Sequence, residues 1–264
     1  MDFKNVLFEK RGSIAFITLN RPEKRNPINI DTHRELRECF DMCDYDDEIR
    51  AVVIRGAGGN FSAGGDIGAM KARIDAGIRG TRAVCRIGAE TNLRLLNVKK
   101  PVIAWIEGAI TGAGISLALS CDFQIISETS KCAFSFVNIG FVPDSGATYL
   151  VTRALGTTKA KELMMSGRFF SGREAADWGL FTETVPAEDL EARVETYIKK
   201  YSSGPSMAYS GIKTMINRAQ FAAYADGMQT EIDAQGACEL TEDYKEAVNA
   251  FLEKRKPQFK GKKD

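Results

Sequence analysis

The segment 107–153 constrains the fold more than any other part of the chain, because it combines a glycine-rich turn with an apolar run. The glycines are Gly108, Gly112 and Gly114, and the apolar run follows at 115–119. Glycine lets the backbone turn tightly and approach a ligand closely. The first N–H groups of the predicted helix lack partners within it and lie at its positive end. This turn is therefore a candidate binding site for an anion or a polarised carbonyl oxygen.

The same segment contains a second turn, 142–146, which carries the carboxylate of Asp144. A helix start lined by free amides, together with one carboxylate, is the combination that enolate chemistry beside a carbonyl requires. The amides hold the oxyanion, and the carboxylate moves a proton. In the alternative interpretation, Asp144 caps the helix that is predicted to begin near Ser145.

Composition indicates an ordinary globular protein. The 264 residues are 44% hydrophobic and 27% charged, enough for one large domain or a domain with a small appendage. The formal net charge of +1 gives no general attraction to nucleic acid or to a membrane surface. No apolar run is long enough to span a bilayer, and the first residues lack the character of a signal or transit peptide. We therefore expect a cytoplasmic protein without a membrane or nucleic-acid partner.

The six cysteines do not form a recognisable metal or disulfide pattern. None belongs to a C-x-x-C pair, and a single histidine is too few for a Cys/His zinc site. We expect reduced, mostly buried thiols and no metal.

Hydrophobic periodicity predicts alternating strands and helices up to about residue 185, and helices beyond it. The predicted strands are a hairpin at 6–11 and 14–19, followed by 51–55, 101–106, 123–126 and 132–134. The predicted helices are 32–44, 67–98 (weakest at 75–90), 113–120, 145–155, 157–165, 172–178, 188–202, 205–218, 220–236 and 241–254. This alternation predicts an α/β fold with a sheet between helical layers.

Short motifs spread over nearly the whole chain, in a fixed order, resemble the crotonase family, also called the enoyl-CoA hydratase/isomerase family. They are 61–67 (FSAGGDI), 101–104 followed by Glu107-Gly108 and Gly112 to Gly114, Cys121-Asp122, 139–143 (IGFVP) and 251–259 (FLEKRKPQF). The resemblance implies a crotonase-like β-β-α spiral core at 1–200 and a C-terminal helical region at 201–264. In the family that region covers the active site and builds a homotrimer, often paired into a hexamer as a dimer of trimers.

The resemblance also implies an oxyanion hole made of two backbone amides. The resemblance places these two amides at Ala63, before the Gly-x-Asp of the early loop, and at Ala113, the second residue of the glycine turn. Other residues implied at the acyl-CoA site are Lys24, Arg25, Ser62, Gly64, Gly65, Asp66, Ile67, Gly112, Gly114, Phe136 and Phe141. Lys24 and Arg25 would meet the CoA phosphates, whereas Asp66 is expected to bond loop amides. Coenzyme A enters as part of the substrate, and no other cofactor is implied.

The chain departs from the hydratase pattern at both acid/base positions. Hydratases of the family use two glutamates that position one water, and the corresponding positions here are Ser116 and Phe136. A serine needs its own activator, and phenylalanine has no proton to move. The two-glutamate hydration mechanism is therefore not expected.

Asp144 occupies the position at which family isomerases have an aspartate, and the run 134–144 most resembles the phenylacetate-pathway isomerases. One carboxylate beside an enolate can remove a proton from one carbon and return it to another. Apolar neighbours, among them Phe136 and Phe141, should raise its pKa. We therefore expect an enoyl-CoA isomerase of fatty or aromatic acid metabolism.

Three alternatives stay open. Asp144 would activate water in a hydratase (a lyase) or in an acyl-CoA hydrolase, and a non-catalytic homologue would bind acyl-CoA or RNA. A dehalogenase would use Asp144 as a nucleophile, but it needs a histidine and a tryptophan where this chain has Ala89 and Phe136. The only histidine, His33, is expected to be a surface or core residue.

The basic tail, including Lys260, Lys262 and Lys263, either contacts the CoA 3′-phosphate or is solvated.

Overall fold

A computed structural model describes residues 3–220 and 223–261 and confirms the α/β class. The chain opens with the expected hairpin: β1 (Val6–Arg11) pairs antiparallel with β2 (Ile14–Leu19) around Gly12. The remaining strands are β3 (Ala51–Gly56), β4 (Val102–Ile106), β5 (Ala109–Thr111), β6 (Phe123–Ser127), β7 (Lys131–Ala133), β8 (Phe169–Ser171) and β9 (Glu183–Val185).

Six strands form the main sheet in the order β1-β2-β3-β4-β6-β9, with parallel pairing from β2 onward. The short strands β5, β7 and β8 form a second sheet. Parallel neighbours need crossover connections, which the intervening helices supply.

The helices are α1 (Ile30–Tyr45), α2 (Ile67–Asp75), α3 (Thr81–Leu96), α4 (Ala113–Leu119), α5 (Ala147–Ser166), α6 (Gly172–Asp177), α7 (Leu190–Ser203), α8 (Ser206–Gln220), α9 (Tyr224–Cys238) and α10 (Glu242–Leu252). Alternate residues of the central strands face opposite helical layers, as the two-residue period of a strand requires. On β2, Ile17 packs in the core that contains Leu36 and Phe40 of α1, whereas Phe16 packs with Val194 of α7.

The sequence predictions were wrong at several boundaries. The helix expected at 67–98 is two helices, separated where Gly77 adopts φ +65 and Gly80 precedes α3. By contrast, the two helices expected at 145–155 and 157–165 are confirmed, because α5 consists of two helical stretches that meet at a kink where Gly156 is not helical. Strands β5, β8 and β9 were not predicted, because three residues are too few to show a periodicity.

The four C-terminal helices are present, although residues 221 and 222 of the helix predicted at 220–236 lie outside the described residues. The predicted boundary near residue 200 falls inside α7, and the division into two parts stays a prediction. Helix α8 buries none of its side chains and exposes Met207, Met215 and Ile216. The trimeric or hexameric assembly also stays a prediction. No helix in the described part of the chain is both long and apolar enough to cross a membrane.

Gly12 and Gly108 have nearly the same backbone conformation. Alanine substitutions at these two positions therefore test how closely the rest of the chain packs against Gly108, at the start of the glycine-rich segment. Gly12 has φ +57 and Gly108 has φ +60, but a Cβ on Gly12 would meet nothing within 4 Å, whereas one on Gly108 would lie 2.0 Å from the Gly59 carbonyl oxygen. We expect Gly12→Ala to cost about 1 kcal/mol through its left-handed backbone alone. Gly108→Ala should cost about 3 kcal/mol or more, because the clash forces the backbone to move. Equal losses in urea denaturation would contradict this difference.

Candidate active site

A cavity of about 1200 Å³ lies where the early loop, the glycine turn and the 135–145 segment meet α1, α2 and α3. Its walls include Asp144, both candidate amide positions and the rings of Phe136 and Phe141. A cavity of this size can enclose a drug-sized ligand.

Asp144 lies in the turn before α5, where Ser145 (φ +57) and Gly146 (φ +83) adopt left-handed backbone conformations. The Ser116 hydroxyl of α4 donates to the Asp144 backbone carbonyl at 3.1 Å. Oδ2 of the carboxylate receives weak hydrogen bonds from the Cys85 thiol at 3.7 Å and the Gln235 amide at 3.5 Å. Oδ1 has no partner among the described residues. One carboxylate oxygen is therefore hydrogen-bonded, and the other is buried without a partner.

Burial raises the pKa of Asp144 to about 6, and hydrogen bonds from Ser145 and Cys85 offset part of that rise. The direction agrees with the expectation from its apolar neighbours. A carboxylate with this pKa is ionised at neutral pH and can still accept and return a proton readily.

Helix α9 supports the turn that carries Asp144 through two polar residues one helical turn apart. The Glu231 carboxylate accepts hydrogen bonds from the Gly146 N–H at 2.7 Å and the Thr148 N–H at 2.8 Å. Gln235 donates to the Val142 carbonyl at 2.5 Å as well as to Asp144. Burial raises the pKa of Glu231 to about 7. Both side chains thus fix the backbone on either side of Asp144.

Sequence reasoning missed both α9 residues, because more than eighty positions separate them from the turn. A signal was available: they share the buried face of α9 with Met228 and Ile232. Polar residues at apolar positions of an amphipathic helix usually have a specific hydrogen-bonding role.

The expectation that Ala63 contributes a free amide is wrong. Its N–H donates to the Arg25 carbonyl at 2.7 Å and is unavailable to a ligand. Two residues later, the N–H of Gly65 has no acceptor among the described residues, and Gly65 borders the cavity. Sequence reasoning did not single out the Gly65 amide, because which amide lacks an acceptor depends on how the 21–26 loop packs beneath the turn.

The amide of Ala113 fits its predicted position. Ala113 is the first residue of α4 and borders the cavity, and its N–H has no acceptor in the described part of the chain. Gly112 before it has φ +50 and ψ −125, a conformation that directs the chain into the helix. Together, Gly65 and Ala113 give the cavity two unpaired backbone donors.

Several predicted contact residues serve the loops rather than the cavity. Ser62 is buried, donates to the Asn26 carbonyl at 2.8 Å and accepts from the Gly64 N–H at 3.1 Å. A Cβ on Gly64 would lie 2.8 Å from the Thr111 carbonyl oxygen, and one on Gly114 would lie 2.8 Å from the Ser62 Cβ. Ser62, Gly64 and Gly114 therefore bring two loops together and do not border the cavity.

Asp66 has the structural role that was expected of it. It caps α2 by accepting from the Ala69 N–H at 3.1 Å and pairs with Arg21 at 2.7 Å. Burial opposes its ionisation, but the Arg21 contact and the cap hold its pKa below the usual value. It also borders the cavity, as do Ile67, Gly112 and Arg25, whereas Lys24 does not.

Neither hydratase position supplies a carboxylate, as the sequence indicated. Ser116 is buried and its hydroxyl is occupied by the Asp144 carbonyl. Phe136 is a buried ring in the cavity wall. Phe141, on the same wall, stacks on Tyr244 with 4.1 Å between ring centroids.

His33 is buried in the cavity wall, consistent with the expectation of a surface or core residue. Its Nδ1 has no partner among the described residues, and burial, assisted by the charge of Arg37, lowers its pKa to about 4. It is therefore neutral at physiological pH. Within the described residues, no group of three or more His, Cys, Asp or Glu side chains could hold a metal ion.

Comparison with known proteins identifies the family. The family described as enoyl-CoA hydratase/isomerase matches residues 9–262. The chain belongs to the enoyl-CoA hydratase/isomerase family. A solved enoyl-CoA hydratase from Mycobacterium avium subsp. paratuberculosis is similar in structure, with a TM-score of 0.88, 28% identity and coverage of 98% of this chain and 99% of that one.

Curated relatives in this enoyl-CoA hydratase/isomerase family carry different activities. A trans-2-decenoyl-[acyl-carrier-protein] isomerase of Streptococcus mutans is 33% identical over 99% of this chain and 100% of its own length. The 1,2-epoxyphenylacetyl-CoA isomerase of Escherichia coli is 32% identical, with 97% and 98% covered. A short-chain-enoyl-CoA hydratase of Clostridium acetobutylicum is 34% identical, with 97% of each chain covered. The family is thus established, and these similarities do not separate isomerase from hydratase.

Replacing Gln235 should change the acidity of Asp144 without removing it. Gln235→Leu keeps the side-chain volume but deletes a donor to Oδ2, so the pKa of Asp144 should rise above about 6. The titration is measured from the aspartate carboxyl ¹³C signals, with the Asp144 signal assigned by its loss in Asp144→Asn. Gln229→Leu, on the exposed side of the same helix, is the control. An unchanged or lower Asp144 pKa in Gln235→Leu would show that this contact does not act on the carboxylate.

Proposed function

We propose that this protein is an enoyl-CoA isomerase, which moves a carbon–carbon double bond of an acyl-CoA thioester through an enolate. The observation that carries the proposal is the arrangement of Asp144: a buried carboxylate in the cavity wall, with Oδ2 held and Oδ1 unpartnered. The absence of a carboxylate at both Ser116 and Phe136 supports a reaction that needs one proton-transfer group rather than two.

The proposed reaction consists of two proton transfers. The ionised Asp144 carboxylate removes a proton from the substrate carbon at one end of the allylic system, and the electron pair moves toward the thioester oxygen to give an extended enolate. The neutral carboxyl group then returns the same proton to the carbon at the other end, and the enolate collapses with the double bond in its new position. The carboxylate is regenerated, and no water is consumed.

The free N–H groups of Gly65 and Ala113 are the proposed donors to the enolate oxygen. Both residues border the cavity, and neither amide is used by the described part of the protein. Fixed backbone donors stabilise a developing oxyanion without reorganising, and one such donor typically contributes about 3 kcal/mol to lowering the barrier. Neutral His33 adds no competing charge to this wall.

The CoA portion of the substrate is proposed to enter beside Arg25. Arg25 borders the cavity in a left-handed turn with φ +60, and its neighbour Lys24 is exposed. Cationic side chains at this position suit the CoA phosphates. Coenzyme A then acts as part of the substrate, and we propose no separate cofactor. The carrier named for the S. mutans relative is acyl carrier protein, so the thioester carrier is itself a testable feature.

A second candidate function is hydration or hydrolysis, in which Asp144 activates water. The specific observation in its favour is that Asp144 borders a cavity of about 1200 Å³, which has room for water as well as substrate. Incorporation of ¹⁸O from solvent into the product distinguishes this reaction from isomerisation, which incorporates none.

Removing the proton-transfer group should abolish exchange but preserve binding. We expect Asp144→Asn to slow solvent-deuterium exchange into enoyl-CoA thioesters by at least about 100-fold, because the amide cannot accept the substrate proton. Mass spectrometry measures the exchange, and calorimetry with a saturated acyl-CoA measures binding. Asp226→Asn, an exposed position on α9, is the control. Exchange that persists in Asp144→Asn would refute the assignment; binding without exchange in the wild type would indicate a binding protein.

The pH dependence should report ionisation of the same group. Because the base must be ionised, kcat/KM should rise with pH and level off above an apparent pKa of about 6. The rate below this value should fall tenfold per pH unit. Isomerisation rates between pH 4.5 and 8 test this. A flat profile across that interval would mean that Asp144 is not the base in the free enzyme.

A further inference from the structure

Arg73 is a cation in the cavity wall without a counter-ion. It lies in the last turn of α2, is half-buried and borders the cavity. No carboxylate lies within ion-pair distance of it among the described residues, and its buried Nε has no hydrogen-bond partner. By contrast, Asp66 at the other end of α2 is paired with Arg21.

The surroundings of Arg73 place it near Asp144 in the cavity wall. Its guanidinium faces the hydroxyl of Tyr244, and its positive charge opposes the rise that burial produces in the pKa of Cys85. The Cys85 thiol itself contacts Asp144 at 3.7 Å. Arg73 also lies six residues after Ile67, about 9 Å along the helix axis from the loop that carries Gly65.

One acidic side chain in this neighbourhood, Glu239, is already used elsewhere. Glu239 acts electrostatically on Tyr244, but its Oε1 accepts hydrogen bonds from the N–H groups of Gly80 and Thr81, each at 3.0 Å, and from the Thr81 hydroxyl at 2.6 Å. Glu239 thus anchors the beginning of α3 rather than pairing with Arg73.

An unpaired guanidinium in a cavity wall can bind a ligand that supplies the opposite charge. Its planar donors match a carboxylate, which accepts two parallel hydrogen bonds. Met70, Val84 and Phe141 in the same cavity lining offer apolar surface to an acyl chain. An acyl group that is apolar along its length and anionic at its end satisfies both features.

We infer that Arg73 binds a carboxylate at the far end of the acyl group. The preferred substrate is then a mono-thioester of a dicarboxylic acid. This inference rests on the proposed function for the orientation of the thioester, since the carbonyl must lie at Gly65 and Ala113. The CoA phosphates are not the anion concerned, because they belong at the Arg25 end of the cavity.

The test uses saturated thioesters, which bind without turnover. Mono-CoA thioesters of dicarboxylic acids, from succinyl-CoA to sebacyl-CoA, are each compared by calorimetry with the straight-chain acyl-CoA of equal carbon number. At the best-fitting length we expect the carboxylate form to bind at least about tenfold tighter to the wild type. Arg73→Met should reduce the ratio to about one, and Arg73→Lys should retain part of it. Arg79→Met, which removes an exposed charge from the same segment, should leave it unchanged.

A wild type that binds the neutral thioester as tightly at every length would overturn the inference, whether or not the Arg73 variants fold. A ratio that survives in folded Arg73→Met, as judged by its circular dichroism melting curve, would also overturn it. Because binding of saturated thioesters does not need Asp144, failure of this inference leaves the exchange experiment intact. Conversely, a carboxylate preference in a protein that catalyses no exchange would refute only the proposed reaction.

Discussion

The hydrogen bonds from the start of α5 to Glu231 hold the site together. The turn before α5 contains two consecutive residues with positive φ, Ser145 and Gly146, and such a backbone persists only when its surroundings determine it. The first N–H groups of a helix need acceptors, and Glu231 supplies one for Gly146 and one for Thr148. A Cβ on Gly146 would lie 1.9 Å from the Tyr224 hydroxyl oxygen, so α9 packs too closely for any other residue there. Asp144 is placed by this contact rather than by its own turn alone.

The same contact couples two ionisable groups. Asp144 and Glu231 lie on either side of one turn, and burial raises the pKa of each, to about 6 and about 7. The charge of Asp144 further raises the pKa of Glu231. Because two nearby carboxylates repel each other when both are charged, protonation of one makes it easier for the other to ionise. The backbone N–H groups favour a charged Glu231, whereas the buried Oδ1 of Asp144 has no donor among the described residues. The carboxylate that is proposed to exchange protons is therefore the one with fewer fixed partners.

What could be read from the sequence followed from local chemistry. The β1–β2 hairpin and the glycine turn before α4 depend on residues adjacent in the chain, and both were predicted closely. Which amide of the early loop is free does not depend on the residues next to it in the chain. The Ala63 N–H is occupied because Arg25 and Asn26 both adopt positive φ, which brings the Arg25 carbonyl beneath the loop. No periodicity or motif in the sequence reports that approach.

The long-range partners of Asp144 could not be predicted from the sequence, for a related reason. Gln235 and Cys85 reach Oδ2 from two helices far apart in the chain, and each alone reads as an ordinary helical residue. Arg73 likewise reads as a solvated charge near a helix end. These side chains come together only because α2, α3 and α9 pack around one cavity.

Ser116 explains how the site can operate with one carboxylate. Its hydroxyl donates to the Asp144 backbone carbonyl, so this position of α4 supports the turn instead of contributing an acid. A glutamate at the same position would bring a second negative charge into the buried surroundings of Asp144 and raise its pKa further. It would also remove the short hydroxyl that satisfies the carbonyl. Phe136 places an apolar ring in the cavity lining at the second hydratase position. Neither hydratase position therefore supplies a carboxylate beside Asp144, which is the arrangement that the proposed isomerisation needs.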